Sequence, residues 1–356
     1  MLGKSKYRVA AVLFLLIFVL SGCGLFGPEE NVTSQPIDPP PLQEQEASEV
    51  NIDISQTDGT TVISNEELQI TQQVIYLKDM NGYIVPQTMS IPKVEGIGKQ
   101  VLRYMVKGGP VESILPEGFE AVLPEGTQVL GMSVKEDGLA IVDFSKEFLN
   151  YQPDEEKAIL DAITWSLTEF PTINRVTIWV EGRELEVMPV TKTPVHSLSR
   201  ANGINLELAE NIDIGQTTPV TLYFQADTPS GDGTYYVPVT RLIPRSTDIV
   251  RDSLNQLIMG PKEGSNLFSG ILPSTKLLSA VLDNNVAIAN FDQTILSFDS
   301  GKASDDVIKS IVLTLTENTE ADKVLVEVNG ESTVTTDSSD FSKPVTRPQW
   351  INPASS

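Results

Sequence analysis

The chain has 356 residues, with 25 Lys and Arg against 48 Asp and Glu, a formal net charge of −23. One cysteine and one histidine exclude, by count, an internal disulfide and a metal site built on several His or Cys ligands. No basic cluster is present to displace phosphate counterions, so nucleic acid is excluded as a partner.

At the N-terminus, Lys4, Lys6 and Arg8 precede an apolar run from Val9 to Leu20. This is a positive n-region followed by an h-region of signal-peptide length, short for a membrane-spanning helix. Leu20, Ser21 and Gly22 then lead into the lone thiol, and the sequence resembles the lipobox of bacterial lipoproteins. The resemblance implies removal of residues 1–22 and attachment of a diacylglyceryl group to Cys23, a lipidation site that anchors the chain to the membrane. Acyl chains give about 0.8 kcal/mol per buried methylene, and stable anchoring takes two or more of them. The competing reading is an uncleaved spanning helix prolonged through Leu25 and Phe26. Both readings export the rest of the chain.

Residues 23–70 contain no Lys or Arg, while acidic residues accumulate among prolines such as PIDPPP. Low hydrophobicity with like-charge repulsion predicts a disordered tether. Beyond it the chain repeats itself. LTEFPTINRVTIWVEG (167–182) aligns without a gap on LTENTEADKVLVEVNG (315–330) at an offset of 148. Val176, Ile178 and Val180 alternate, as do Val324, Val326 and Val328, which predicts a strand with one buried face. Before each strand, Ile159, Leu160, Ile163 and Leu167 match Val307, Ile308, Ile311 and Leu315, a helical stripe. Acidic residues open both helices, and Ser304 is placed to cap the second.

Upstream, GLAIVDF (138–144) matches NVAIANF (285–291), each behind a strand-like run and a turn rich in Asp, Asn and Gly. LRYMVKGGP (102–110) matches LNQLIMGP (254–261), a helix end stopped by Gly then Pro. YIVP (83–86) and YYVP (235–238) follow strand-like openings. The fold class expected is α/β (α+β): two tandem repeats of a small two-layer domain, each β-β-α-β-β-α-β, with a mixed or antiparallel sheet packed by helices. The domains run 71–189 and 217–334. Between them lies a segment, 190–216, in which Ile204, Leu206 and Leu208 alternate as an added strand would, and a Ser/Thr-rich tail, 335–356, reads as disordered.

On the paired GGP and GP helix ends, the AIVDF and AIANF strands and the VEG and VNG closures, the chain resembles the GerMN-containing sporulation and germination lipoproteins. That resemblance implies a role in sporulation and spore germination, with extracytoplasmic proteins of a sporulation complex as partners, assembled between the two membranes of a developing spore.

Catalytic candidates are few. His196 lies outside both repeats, so a triad would have to borrow it. Asp143 and Glu147 have the spacing of an acid and base pair, yet Asn290 replaces Asp143 in the second copy, which favours a strand-ending role. GIGK (96–99) lacks the spacing of a phosphate loop. Asp292, Asp299, Asp305 and Asp306 lack EF-hand spacing and read as capping or solvated residues. Trp165 and Trp179 read as packing residues, and Trp350 in the tail as the better docking candidate. No catalytic residue, cofactor or metal is therefore assigned. The leading expectation is a membrane-tethered assembly module, the alternative a cell-wall or small-ligand binding module using the interdomain cleft, and the third a hydrolase.

Overall fold

The computed structural model describes residues 69–209, 215–296, 301–336 and 339–353. The expected signal segment, Cys23, the expected tether before residue 69 and Asp299 lie outside the described residues. None of the described helices is long and apolar enough to cross a membrane.

The first repeat opens with a hairpin, β1 (Ile70–Asp79) and β2 (Ile84–Pro92), followed by the short α1 (Ile97–Arg103) and β3 (Phe119–Glu120). Then come β4 (Val129–Val134), β5 (Leu139–Phe144), α2 (Glu156–Leu167), β6 (Arg175–Val180) and β7 (Arg183–Glu184). A short β8 (Glu207–Leu208) leads into the second repeat. Its hairpin is β9 (Thr217–Asp227) and β10 (Thr234–Pro244), followed by α3 (Ile249–Met259). There follow β11 (Leu277–Asp283), β12 (Val286–Phe291), α4 (Asp305–Asn318), β13 (Lys323–Val328) and β14 (Val345–Thr346).

Each repeat builds a four-stranded mixed sheet, in the orders β4-β5-β6-β7 and β11-β12-β13-β14. The two central strands of each run parallel, as a strand-helix-strand crossover requires. The register repeats with the sequence: Ala140 pairs with Val176 and Val142 with Ile178, as Ala287 pairs with Val324 and Ala289 with Val326. The turns predicted before β5 and β12 form with positive φ at Gly138, and at Asn284 and Asn285. At Gly138 the need is double, because a Cβ there would clash with the Asn174 carboxamide.

The apolar stripes of α2 and α4 are buried, but so is most of the rest of each helix. Ten of the twelve residues of α2 are buried, because the sheet covers one side and the hairpin packs on the other. That second contact explains buried Ser166 and Thr314, whose hydroxyls accept the backbone N–H of Tyr76 in β1 and Tyr223 in β9.

Two expectations are corrected. The tail is folded over residues 339–353: β14 pairs with β13, and Phe341, Ile351 and Asn352 are buried. Average composition argued for disorder, whereas a few residues with specific partners fix this segment. The strand expected from Ile204, Leu206 and Leu208 shrinks to β8, parallel to β10. Asn205 takes a positive φ and breaks the alternation, leaving Ile204 buried and both leucines exposed. The Gly-Pro stop also works differently in the two copies. Helix α3 ends at Gly260, whereas α1 ends at Arg103, because Met105 O accepts the N–H groups of Val122 and Leu123 and draws the chain aside.

Candidate functional site: the junction between the repeats

Where the two hairpins meet, the chain assembles a polar junction from pairs of equivalent residues. The segments that close the repeats carry one short pattern twice, RANGIN (200–205) and RPQWIN (347–352), at an offset of 147. Asn205 accepts the Ile84 N–H at 2.8 Å and donates to Ile84 O and to Pro238 O of the other repeat. Asn352 does the converse: it accepts the Tyr236 N–H at 2.8 Å and donates to Tyr236 O and to Pro86 O. Both asparagines have positive φ, which their short amide side chains tolerate.

The closing segments are exchanged. Ile204 receives the Thr240 N–H from the second repeat at 2.8 Å, while Ile351 accepts the Thr88 hydroxyl of the first at 2.7 Å. Contacts in which each half gives what it receives are the geometry of an isologous interface, here within one chain. Val85 of β2 is buried in the second repeat's core, and Phe119 packs edge-on against Tyr235 with centroids 5.2 Å apart. The Tyr235 hydroxyl donates to Asp79 at 2.8 Å, whose carboxyl is raised above the usual aspartate range by burial.

The charged residues of the pattern lie beside this seam. Arg200 bonds Glu169 at 2.6 Å and reaches Glu317 of the second repeat at 2.8 Å, its guanidinium 4.3 Å from the centre of the Trp165 ring. Arg347 bonds Glu317 at 2.9 Å and the Tyr223 hydroxyl at 2.7 Å. Tyr76 donates to Glu169 and Tyr223 to Glu317. Burial raises both tyrosines well above the usual phenol range. For Glu317 burial opposes ionisation, but Arg200 and Arg347 outweigh it and hold the carboxyl below its usual range. Two guanidiniums facing two carboxylates form a balanced clamp, satisfied by hydrogen bonds as half-buried charges require.

The residues singled out in the sequence are scattered. Asp143 accepts the Gly182 N–H at 3.0 Å, and Asn290 accepts the Gly330 N–H at 2.9 Å. An amide does the work of a carboxylate, so the substitution leaves that role intact. Glu147 is half-buried, its carboxyl lowered by the Ser145 hydrogen bond. His196 is exposed and contributes its backbone carbonyl to Thr177. Gly96 precedes α1 in the left-handed region, with no phosphate-loop geometry around it. Asp292 caps a short turn, Asp305 accepts from Thr336, and Asp306 accepts from Tyr236. No cluster of His, Cys, Asp or Glu among the described residues could hold a metal ion. Ser304 stands at the N-cap of α4 without a side-chain capping bond. Trp179 is half-buried, and Trp350 packs on the first repeat's core. Arg200, Asn205, Arg347 and Asn352 were not anticipated. The doubled Arg-x-x-x-Ile-Asn pattern was the signal that marks them.

Comparison with known proteins places this architecture. The family model described as "Germane: Sporulation and spore germination" matches residues 74–186 and 221–334. Spore germination protein GerM of Bacillus subtilis (strain 168) is 38% identical over 375 residues, covering 100% of both chains. The solved tandem GerMN domains of the sporulation protein GerM from Bacillus subtilis superpose with a TM-score of 0.75 at 41% identity, covering 80% of this chain and 100% of that one. With two repeats, each matching the family model, joined in the tandem arrangement of a solved relative, the chain belongs to the Germane family of sporulation and spore germination proteins.

Proposed function

We propose that the chain is a lipid-anchored extracytoplasmic protein that acts without catalysis, as an assembly module for other proteins between the membranes of the developing spore. Full-length similarity to a spore germination protein carries this reading. The junction agrees with it, since its buried polar groups are engaged in holding the two repeats in one arrangement. Outside it, Asp143 holds a turn and Asp292 caps one.

Complementation of a deletion strain in sporulating cells of the source organism tests each part. Wild type and the triple variant Asp143→Ala, Glu147→Ala, His196→Ala should both restore spore formation and germination. Cys23→Ala should lose labelled-lipid incorporation and membrane retention. A triple variant that accumulates normally but fails to complement would reject the non-catalytic reading, and continued lipid labelling of Cys23→Ala would reject the anchor.

A further inference from the structure

The two repeats differ at one edge. In an antiparallel pair, alternate residues point their N–H and C=O groups away from the partner strand. In β1 these are the even-numbered residues: Tyr76 N–H goes to Ser166, and Lys78 lies against Glu120 of β3. The matching outer edge of β9 leaves no N–H open from Pro219 to Gln225. Pro219 has no N–H to offer, the Thr221 N–H and C=O are both taken by the Asn318 carboxamide at 2.7 and 2.6 Å, Tyr223 N–H goes to Thr314, and Gln225 pairs with Phe268.

In the first repeat Gln72 stands in place of Pro219 and Phe170 in place of Asn318. The outward N–H and C=O of Val74, the counterpart of Thr221, then have no bonded protein group among the described residues. They open onto a cavity of about 200 Å³ lined by Val74, Glu169, Phe170, Arg347, Gln349 and Trp350. That is smaller than the roughly 300–1,000 Å³ of small-molecule sites, and suits a single side chain. The two charges on its wall are already matched, Glu169 by Arg200 and Arg347 by Glu317, so an added ion would enter unpaired.

We infer that this cavity receives the carboxamide of an asparagine or glutamine carried by a partner protein, which bonds Val74 as Asn318 bonds Thr221. Trp350 and Phe170 flank the incoming chain, and Val74 supplies one donor and one acceptor side by side. A carboxylate offers no donor to the Val74 carbonyl and is rejected. The identity of the partner as a protein rests on the assembly reading above; the site itself does not.

Amide hydrogen exchange on the isotopically labelled chain tests the site directly. The Val74 N–H should exchange at least tenfold faster than the Thr221 N–H, and equal protection would show a closed edge and overturn the proposal. Acetyl-Ala-Asn-Ala-N-methylamide at millimolar concentration should shift and protect the Val74 amide, and the aspartate analogue should act at least tenfold more weakly. An equal response to both peptides, or to neither, would refute carboxamide recognition. Phe170→Asn should protect Val74 without peptide and abolish the response. If that variant fails to fold, the wild-type contrast between Val74 and Thr221 still decides. Failure of spore complementation by a chain that passes these tests would count against the assembly reading alone.

Discussion

At Glu181-Gly182 and Asn329-Gly330 the chain turns with positive φ at both residues, and a side chain of the neighbouring strand accepts each glycine N–H, Asp143 in one repeat and Asn290 in the other. Asp143→Asn should therefore change stability by less than about 0.5 kcal/mol, and Asp143→Ala should lower it by about 0.5–1.5 kcal/mol, measured by denaturant unfolding. Two other carboxyls give opposite pH signatures. Asp161, on α2, is raised to about 6 by burial against the pull of Lys157. A carboxyl raised in the folded state adds stability as pH falls through its folded pKa, from about 6 toward 3.8. Asp161→Asn should thus stabilise the protein at pH 7 by about 1–3 kcal/mol, and the advantage should shrink below pH 6. Glu317, held low by Arg200 and Arg347, contributes stability above its unfolded value of 4.5 that is lost as pH falls through the lower folded pKa. Asp161 could not be read as buried from sequence, since its counterpart in the second repeat is Lys309 and the backbone that bonds it, at Asn205, belongs to the distant closing segment.

Among elements, the alternation of Val176 and Ile178, the stripes of α2 and α4 and the turn residues before β5 and β12 made the sheet and its crossover legible, because each is a local period set by backbone geometry. The closing segments were not legible in that way. Arg-x-x-x-Ile-Asn fixes three positions in six, sits in stretches whose average composition argues for linker and tail, and finds its partners more than thirty residues away in the other repeat. The junction predicts a matched pair of effects. Asn205→Ala and Asn352→Ala each strip a backbone N–H and two carbonyls of their partner, and each should cost about 2–3 kcal/mol by thermal or denaturant unfolding. A large inequality between them would mean that the two closing segments are not equivalent. Phe170 against Asn318 shows how the copies differ at one position: where one has a hydrogen-bonding amide the other has a ring, and the backbone groups bonded at Thr221 are open at Val74.

Across the whole molecule, the exchange of closing segments joins two halves that each match a family model into one cooperative unit. Val85 and Phe119 of the first repeat are packed with the second core, and Trp350 of the second closing segment is packed on the first. Calorimetry should therefore give one transition with calorimetric and van't Hoff enthalpies in agreement, and the double variant Asn205→Ala, Asn352→Ala should separate it into two. Two independent transitions in the unmodified chain would show that the seam carries little energy. Because Thr88 donates its outward bonds to Ile351 and Asn352, the front half is still missing these pieces until the whole second repeat has been made. A nascent chain halted within the second repeat would leave the ribosome with β2 unclad, so the first domain to emerge waits for residues that lie beyond the second.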